Sequence, residues 1–213
     1  KNQLDGVNPY LIGVGGGSDS HATINTFEEF NNQGNHVFDS TLEARRNGLP
    51  GQDLGVAGDN LYLSPGTLTG VWVAKNDRGH IFDAMKRRES YATSGTRIKV
   101  RLFAGYDLPD DLMSKPEWVD QAYSSGAAPM GGVLPAQDKP VKIAIQAMKA
   151  PHSGNLDRIQ IIKVWSNGHM EYEKIFNVAV SDGRVVDSQT GSVDPLPNTV
   201  DLSKATYTNE YGA

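Results

Sequence analysis

The chain of 213 residues contains no cysteine. That excludes disulfides, thiolate zinc sites, iron–sulfur clusters and a cysteine nucleophile. Any metal would have to use oxygen and imidazole ligands, a donor set suited to manganese, zinc, iron or magnesium better than to copper(I). Concentrated positive charge is also missing. Lys and Arg number 20 against 25 Asp and Glu, for a formal net charge of −5. The triplet Lys86–Arg87–Arg88 is followed at once by Glu89, so the basic stripe of a nucleic-acid binder is absent. No apolar run approaches the roughly 18 residues of a membrane span. A bacterial cytoplasm and a periplasm both stay open, because a lack of cysteine fits either.

What is abundant is glycine, at 23 residues, with 11 prolines and only 21% charged residues, a composition of turns and loops more than of helical bundles. Tyr10–Val14 reads as a short buried strand ended by three glycines. A long loop-rich stretch follows over Ala22–Gly66, with short helices predicted near Phe27–Phe30 and Thr41–Arg46. Leu68–Ala74 is apolar and β-branched. After it, Asp77 can cap a helix over Arg78–Arg88 whose Ile81, Ala84 and Met85 fall at helical spacing. From Ile98 the period becomes two: Val141–Met148, Arg158–Trp165 and Glu171–Val180 read as strands, the last two joined by an S-N-G turn at Ser166–Gly168. Pro116 opens a short helix carrying Trp118, Val119 and Tyr123.

The densest cluster of chemistry-bearing residues is Gly15–His21, G-G-G-S-D-S-H, directly after the first apolar run. Residues two apart in an extended segment point the same way, so Asp19 and His21 can reach one metal ion, with Ser18 beside them for a ligand or an anion. The same spacing also fits an Asx turn next to a surface histidine. Thr93–Arg97, T-S-G-T-R, offers hydroxyls and the Arg97 guanidinium as a phosphate or carboxylate cradle; a turn with Arg97 paired to a nearby acid is the alternative. Neither segment is a P-loop, and Ser18 is not in a G-x-S-x-G elbow. His36 lies in the long loop, while His80, His152 and His169 read as surface residues.

Tyr10–His21, Leu68–Lys86, Arg87–Ile98, Ala128–Leu134, Gly154–Lys163 and Asn198–Ala213 together resemble the C-terminal half of the domain-of-unknown-function 3604 family. Members of that family resemble the polymerase-and-histidinol-phosphatase (PHP) metallohydrolases. The element order and the resemblance together give an α/β plus β expectation. Residues 1–97, where a buried strand and an amphipathic helix make half of a βαβ unit, would be the closing portion of a distorted PHP-like (β/α) barrel with a long loop insertion. Residues 98–213, from their period-two strands, would be a small antiparallel, sandwich-like β-rich domain with an irregular tail. The resemblance implies Asp19 and His21 as metal ligands and a divalent ion (Mn, Zn or Fe) activating water against a small phosphorylated substrate, for which Ser18 and Arg97 are the substrate-binding candidates that the local sequence offers. The family's earlier ligand-bearing motifs are not in this sequence. The resemblance therefore implies a hydrolase fragment that is inactive by itself, partnered by the upstream part of the same protein or by self-association at an open barrel edge. The competing expectation is a noncatalytic β-rich binding or interaction module.

Overall fold

A computed structural model describes residues 11–17 and 67–213. Of these, the residues within Leu11–Gln146 form one compact unit and Ala147–Ala213 a second. No described helix is long and apolar enough to cross a membrane.

In the first unit, β1 (Thr69–Val71) pairs antiparallel with β2 (Ser90–Ala92), with Gly70 opposite Tyr91. A Cβ on Gly70 would lie 2.2 Å from the Tyr91 ring, so glycine is what lets the ring lie across the strand. Between them runs α1 (Arg78–Arg87), capped as its sequence predicts: the Asp77 carboxylate accepts from His80 N at 2.9 Å. The helix stops at Arg88, whose φ of 64° is left-handed. Arg88 N and Glu89 N then bond back to Met85 O and Ala84 O at 2.9 and 3.0 Å. That closure turns the buried Glu89 side chain inward at the start of β2.

A three-stranded sheet follows in the order β4 (Ala128–Pro129), β3 (Lys99–Gly105), β5 (Lys142–Met148), with β4 antiparallel to β3. A single 3₁₀ turn (Leu112–Ser114) leads into α2 (Trp118–Ser124). Phe103 is fully buried at the centre of a cluster with Leu108, Leu112, Trp118, Ala122, Ala127 and Ala144. Trp118 and Tyr123 meet its ring edge-on, at 5.7 and 4.9 Å between centroids, the geometry aromatic quadrupoles favour.

The second unit is organised around a long ribbon. Strands β6 (Arg158–Ser166) and β7 (Glu171–Val180) pair antiparallel from Arg158↔Val180 to Ser166↔Glu171, with one register shift at Ile159/Gln160. Its buried residues are small (Ala150, Ser153 and Ser181), so polar links carry much of its cohesion. Arg184 Nη2 bonds Asp157 Oδ1 at 2.5 Å and Arg158 Nε bonds Asp157 Oδ2 at 2.7 Å. The tail returns so that Leu156 and Ala213 exchange both backbone hydrogen bonds, at 2.8 and 2.9 Å.

Two sequence expectations are corrected. The closing portion of a (β/α) barrel followed by a sandwich-like domain is not what the described residues build. They form three small sheets of two, three and two strands, with two short helices and no closed barrel. Barrel strands are parallel, buried on both faces, and need continuous apolar runs. Here β1 is three residues long, and β1 with β2 and β3 with β4 pair antiparallel. Residues 11–17, expected to begin as a buried strand, are irregular, and Ile12 is 75% exposed. Their backbone bonds hydroxyls instead of a ladder: Gly16 N donates to Thr69 Oγ1 at 2.9 Å and Val14 O accepts from Ser90 Oγ at 2.8 Å.

Candidate functional site

Glu89, Arg101 and Tyr123 come from three separate elements and converge beside Trp72. Glu89 reaches the site because the left-handed Arg88 ends α1 one residue earlier. Arg101 lies two residues before Phe103 on β3 and so projects from the same face. Tyr123 lies on α2, one helical turn beyond Val119 and Asp120.

The Glu89 side chain is only 4% exposed. The Tyr123 hydroxyl donates to its Oε1. Arg101 Nη2 approaches the same oxygen at 3.7 Å and donates to the Tyr123 hydroxyl at 3.2 Å. Arg87 Nη2 lies 3.3 Å from Oε2. A buried carboxylate is costly unless paired and hydrogen-bonded, and here two guanidiniums and a phenol share it. Burial pushes the Tyr123 phenol above its ordinary value, the hydrogen bond to the Glu89 carboxylate adds to that, and Arg101 pulls partly the other way. The Arg101 guanidinium lies 4.4 Å from the Trp72 ring centroid and within 6 Å of the Phe103 and Tyr123 rings, a cation–π enclosure. Trp72 is itself fixed, its indole N–H donating to Val100 O at 3.0 Å. Within this enclosure Arg101 Nε is buried with no hydrogen-bond partner.

These residues floor a cleft of about 650 Å³ whose walls include Val73, Val119 and Pro129, with exposed Asp120 also lining it. A second hollow of about 310 Å³ lies beside Leu108, Met113 and Lys142. There Lys142 Nζ is already engaged by Asp110 Oδ1 at 2.6 Å and Leu108 O at 3.0 Å. The larger cleft is the better site, with a volume in the range of small-molecule pockets and a few convergent polar groups on apolar walls. Its donor set does not suit a cation, because the buried Glu89 oxygens already face arginines.

Asp19, His21 and Ser18, expected at a metal centre, lie outside the described residues, as does His36. Arg97 is exposed on the Thr93–Ile98 link between β2 and β3 and does not line the cleft. His80 sits in the first turn of α1 with Nδ1 2.8 Å from Asp77; His152 and His169 are exposed in turns. Among the described residues no three His, Asp or Glu side chains converge as metal ligands would. Sequence reading missed the Glu89–Arg101–Tyr123 cluster altogether. Its members form no motif, and the one local signal was an arginine on the Phe103 face of a strand.

A family model described as "Protein of unknown function (DUF3604)" matches residues 1–213. No curated protein and no solved structure matches the chain.

Proposed function

We propose that this chain, which belongs to the DUF3604 family over its full 213 residues, is a noncatalytic binding module that takes a small molecule in the cleft beside Glu89. The observation that carries the reading is the buried Glu89 carboxylate, which ties Arg87, Arg101 and Tyr123 together before any ligand arrives. A floor fixed in advance loses little side-chain entropy on binding. The same arrangement argues against catalysis by this floor. Glu89 accepts from Arg87 and Tyr123 and pairs with Arg101, and the Tyr123 phenol holds its proton more tightly than an ordinary tyrosine, so Tyr123 is not poised as a base near neutral pH.

The cleft draws Trp72, Arg87 and Glu89 from before position 97 and Arg101, Val119 and Tyr123 from after it, so binding would need both stretches. Hydrolysis of phosphate esters by a divalent metal at Asp19 and His21 remains the reading that PHP resemblance would give a longer protein, and metal analysis of such a protein tests it. The binding reading is tested by screening the full chain against a panel of small fragments by calorimetry. Saturable one-site binding that is lost in Trp72→Ala is the expected result. A panel without a binder, or binding unaltered in that variant, would overturn it.

A further inference from the structure

We propose that the ligand of the cleft is a compact monocarboxylate with a flat apolar body, its carboxylate held by Arg87 and Arg101. The inference rests on the binding reading above and narrows it to one ligand chemistry.

Charge is the first argument. Glu89, Arg87 and Arg101 together carry two positive charges against one negative, and the shared carboxylate serves both guanidiniums and a phenol. The floor therefore has room for one more acceptor. Arg87 is the solvent-facing member: its side chain is 58% exposed and donates to Glu89 through one contact of 3.3 Å, which leaves other N–H groups of the same guanidinium for a second carboxylate. Arg101 is the fixed member, stacked on Trp72 with its Nε buried and unpartnered. A buried donor without an acceptor is rare enough to require an explanation. Arg101 lines the cleft, and the planar guanidinium fork matches a carboxylate's two oxygens.

Shape and selectivity supply the rest. Val73, Val119 and Pro129 give the cleft apolar walls against which a flat body can lie. Exposed Asp120 places a negative charge on the same cleft. A ligand with a single negative charge can direct it to the floor, whereas a dianion such as a phosphate monoester meets Asp120 with its surplus charge. Asp120 thus selects for one carboxylate over a phosphate.

The test is calorimetric titration of the full chain with benzoate, benzyl alcohol, benzylammonium and phenyl phosphate. Benzoate is expected to bind at least about tenfold more tightly than the other three, the scale of one charge-assisted hydrogen bond. Arg87→Gln, at an exposed position, is expected to weaken benzoate about tenfold and benzyl alcohol by much less. Asp120→Asn is expected to tighten phenyl phosphate more than benzoate. Benzylammonium or phenyl phosphate binding as tightly as benzoate, or benzoate binding indifferent to Arg87→Gln, would overturn the assignment. Silence of all four probes while other fragments still bind in a Trp72-dependent way would reject the carboxylate and leave the binding reading standing. Silence of the fragment panel as well would remove both.

Discussion

The hydroxyl of Tyr123 donates to the carboxylate of Glu89, a partner thirty-four positions earlier in the chain. This bond joins α2 to the start of β2 and brings Arg101, on β3, into the same network. Three elements that share no sequence motif are thereby held to one cleft. If the network organises the unit, its parts should fail in characteristic ways.

Removing the carboxylate should cost most. Glu89→Ala would leave Arg101, only 17% exposed, without its counter-charge and the Tyr123 hydroxyl without its acceptor. With Tyr123 partly solvated, the cost should fall at the low end for breaking a buried pair from one side, about 3 kcal/mol. Glu89→Gln keeps an acceptor and should lose roughly half of that. Urea unfolding of both variants checks the order. Near-equal stability of wild type and Glu89→Ala would mean that the network contributes nothing.

Alkaline pH should act through Tyr123. Burial and the Glu89 carboxylate hold its phenol above the ordinary value of 10.0. The folded state then keeps a proton that the unfolded state releases. The stability this contributes is complete below pH 10.0 and is lost as pH rises from there through the folded value. Tyr91 is also raised, by burial, so the wild-type slope contains both. Denaturation as a function of pH should show a shallower alkaline decline in Tyr123→Phe than in wild type, and an identical slope would contradict the assignment.

The second unit should be sensitive at the acid end. Burial works to raise the Asp157 carboxyl, but hydrogen bonds and charge from Arg158 and Arg184 outweigh it and hold the group below its ordinary 3.8. The clamp's contribution is therefore present above pH 3.8 and lost as pH falls through the depressed value. Hydrogen-exchange protection over Glu171–Val180 should fall in that window, and Asp157→Asn should abolish the fall. Arg184→Ala removes bonds to Asp157, Ser181 and Asp194 and should cost about 2 kcal/mol at neutral pH.

Gly131 should tolerate no side chain. Its φ is +75°, and a Cβ there would lie 2.0 Å from Arg88 O. Arg88 Nε also donates to Gly131 O at 3.1 Å, so the glycine holds the residue that ends α1. Gly131→Ala should cost roughly 2–3 kcal/mol in chemical denaturation. A neutral result would show that the link yields without loss.

Local chemistry was legible in the sequence where it was self-contained. The Asp77 cap and α1, the helix over Trp118 and Tyr123, and the ribbon strands with their turn at Asn167 all stand where spacing placed them. Asn167 Oδ1 accepts from His169 N and Met170 N at 3.0 and 2.9 Å, an Asx turn of the kind its residue type favours. The barrel was misread: an apolar strand at Leu68–Ala74 followed by an amphipathic helix looks like half of a parallel βαβ unit, and the resemblance completed it, but β1 pairs antiparallel with β2 on the far side of that helix. Nor was the polarity of the sheet legible. Alternation in β3 and β5 is clear, yet the buried positions are Phe103 and Ala144, while Ile143 is 44% exposed. Period two says that a strand has two faces and does not say which is covered. The cleft escaped notice for a related reason: Glu89, Arg101 and Tyr123 each look like ordinary polar residues until the backbone brings them together.

The most direct test of the central claim is side-chain NMR of the full chain during titration with benzoate. The Arg101 Nε–H and Trp72 indole resonances report the cleft, and the Trp165 indole, 40% exposed on the ribbon, serves as an internal control. Saturable shifts at Arg101 and Trp72 with Trp165 unmoved are the predicted result. Shifts confined to Trp165, or none at Arg101 at saturating benzoate, would contradict a carboxylate site beside Glu89.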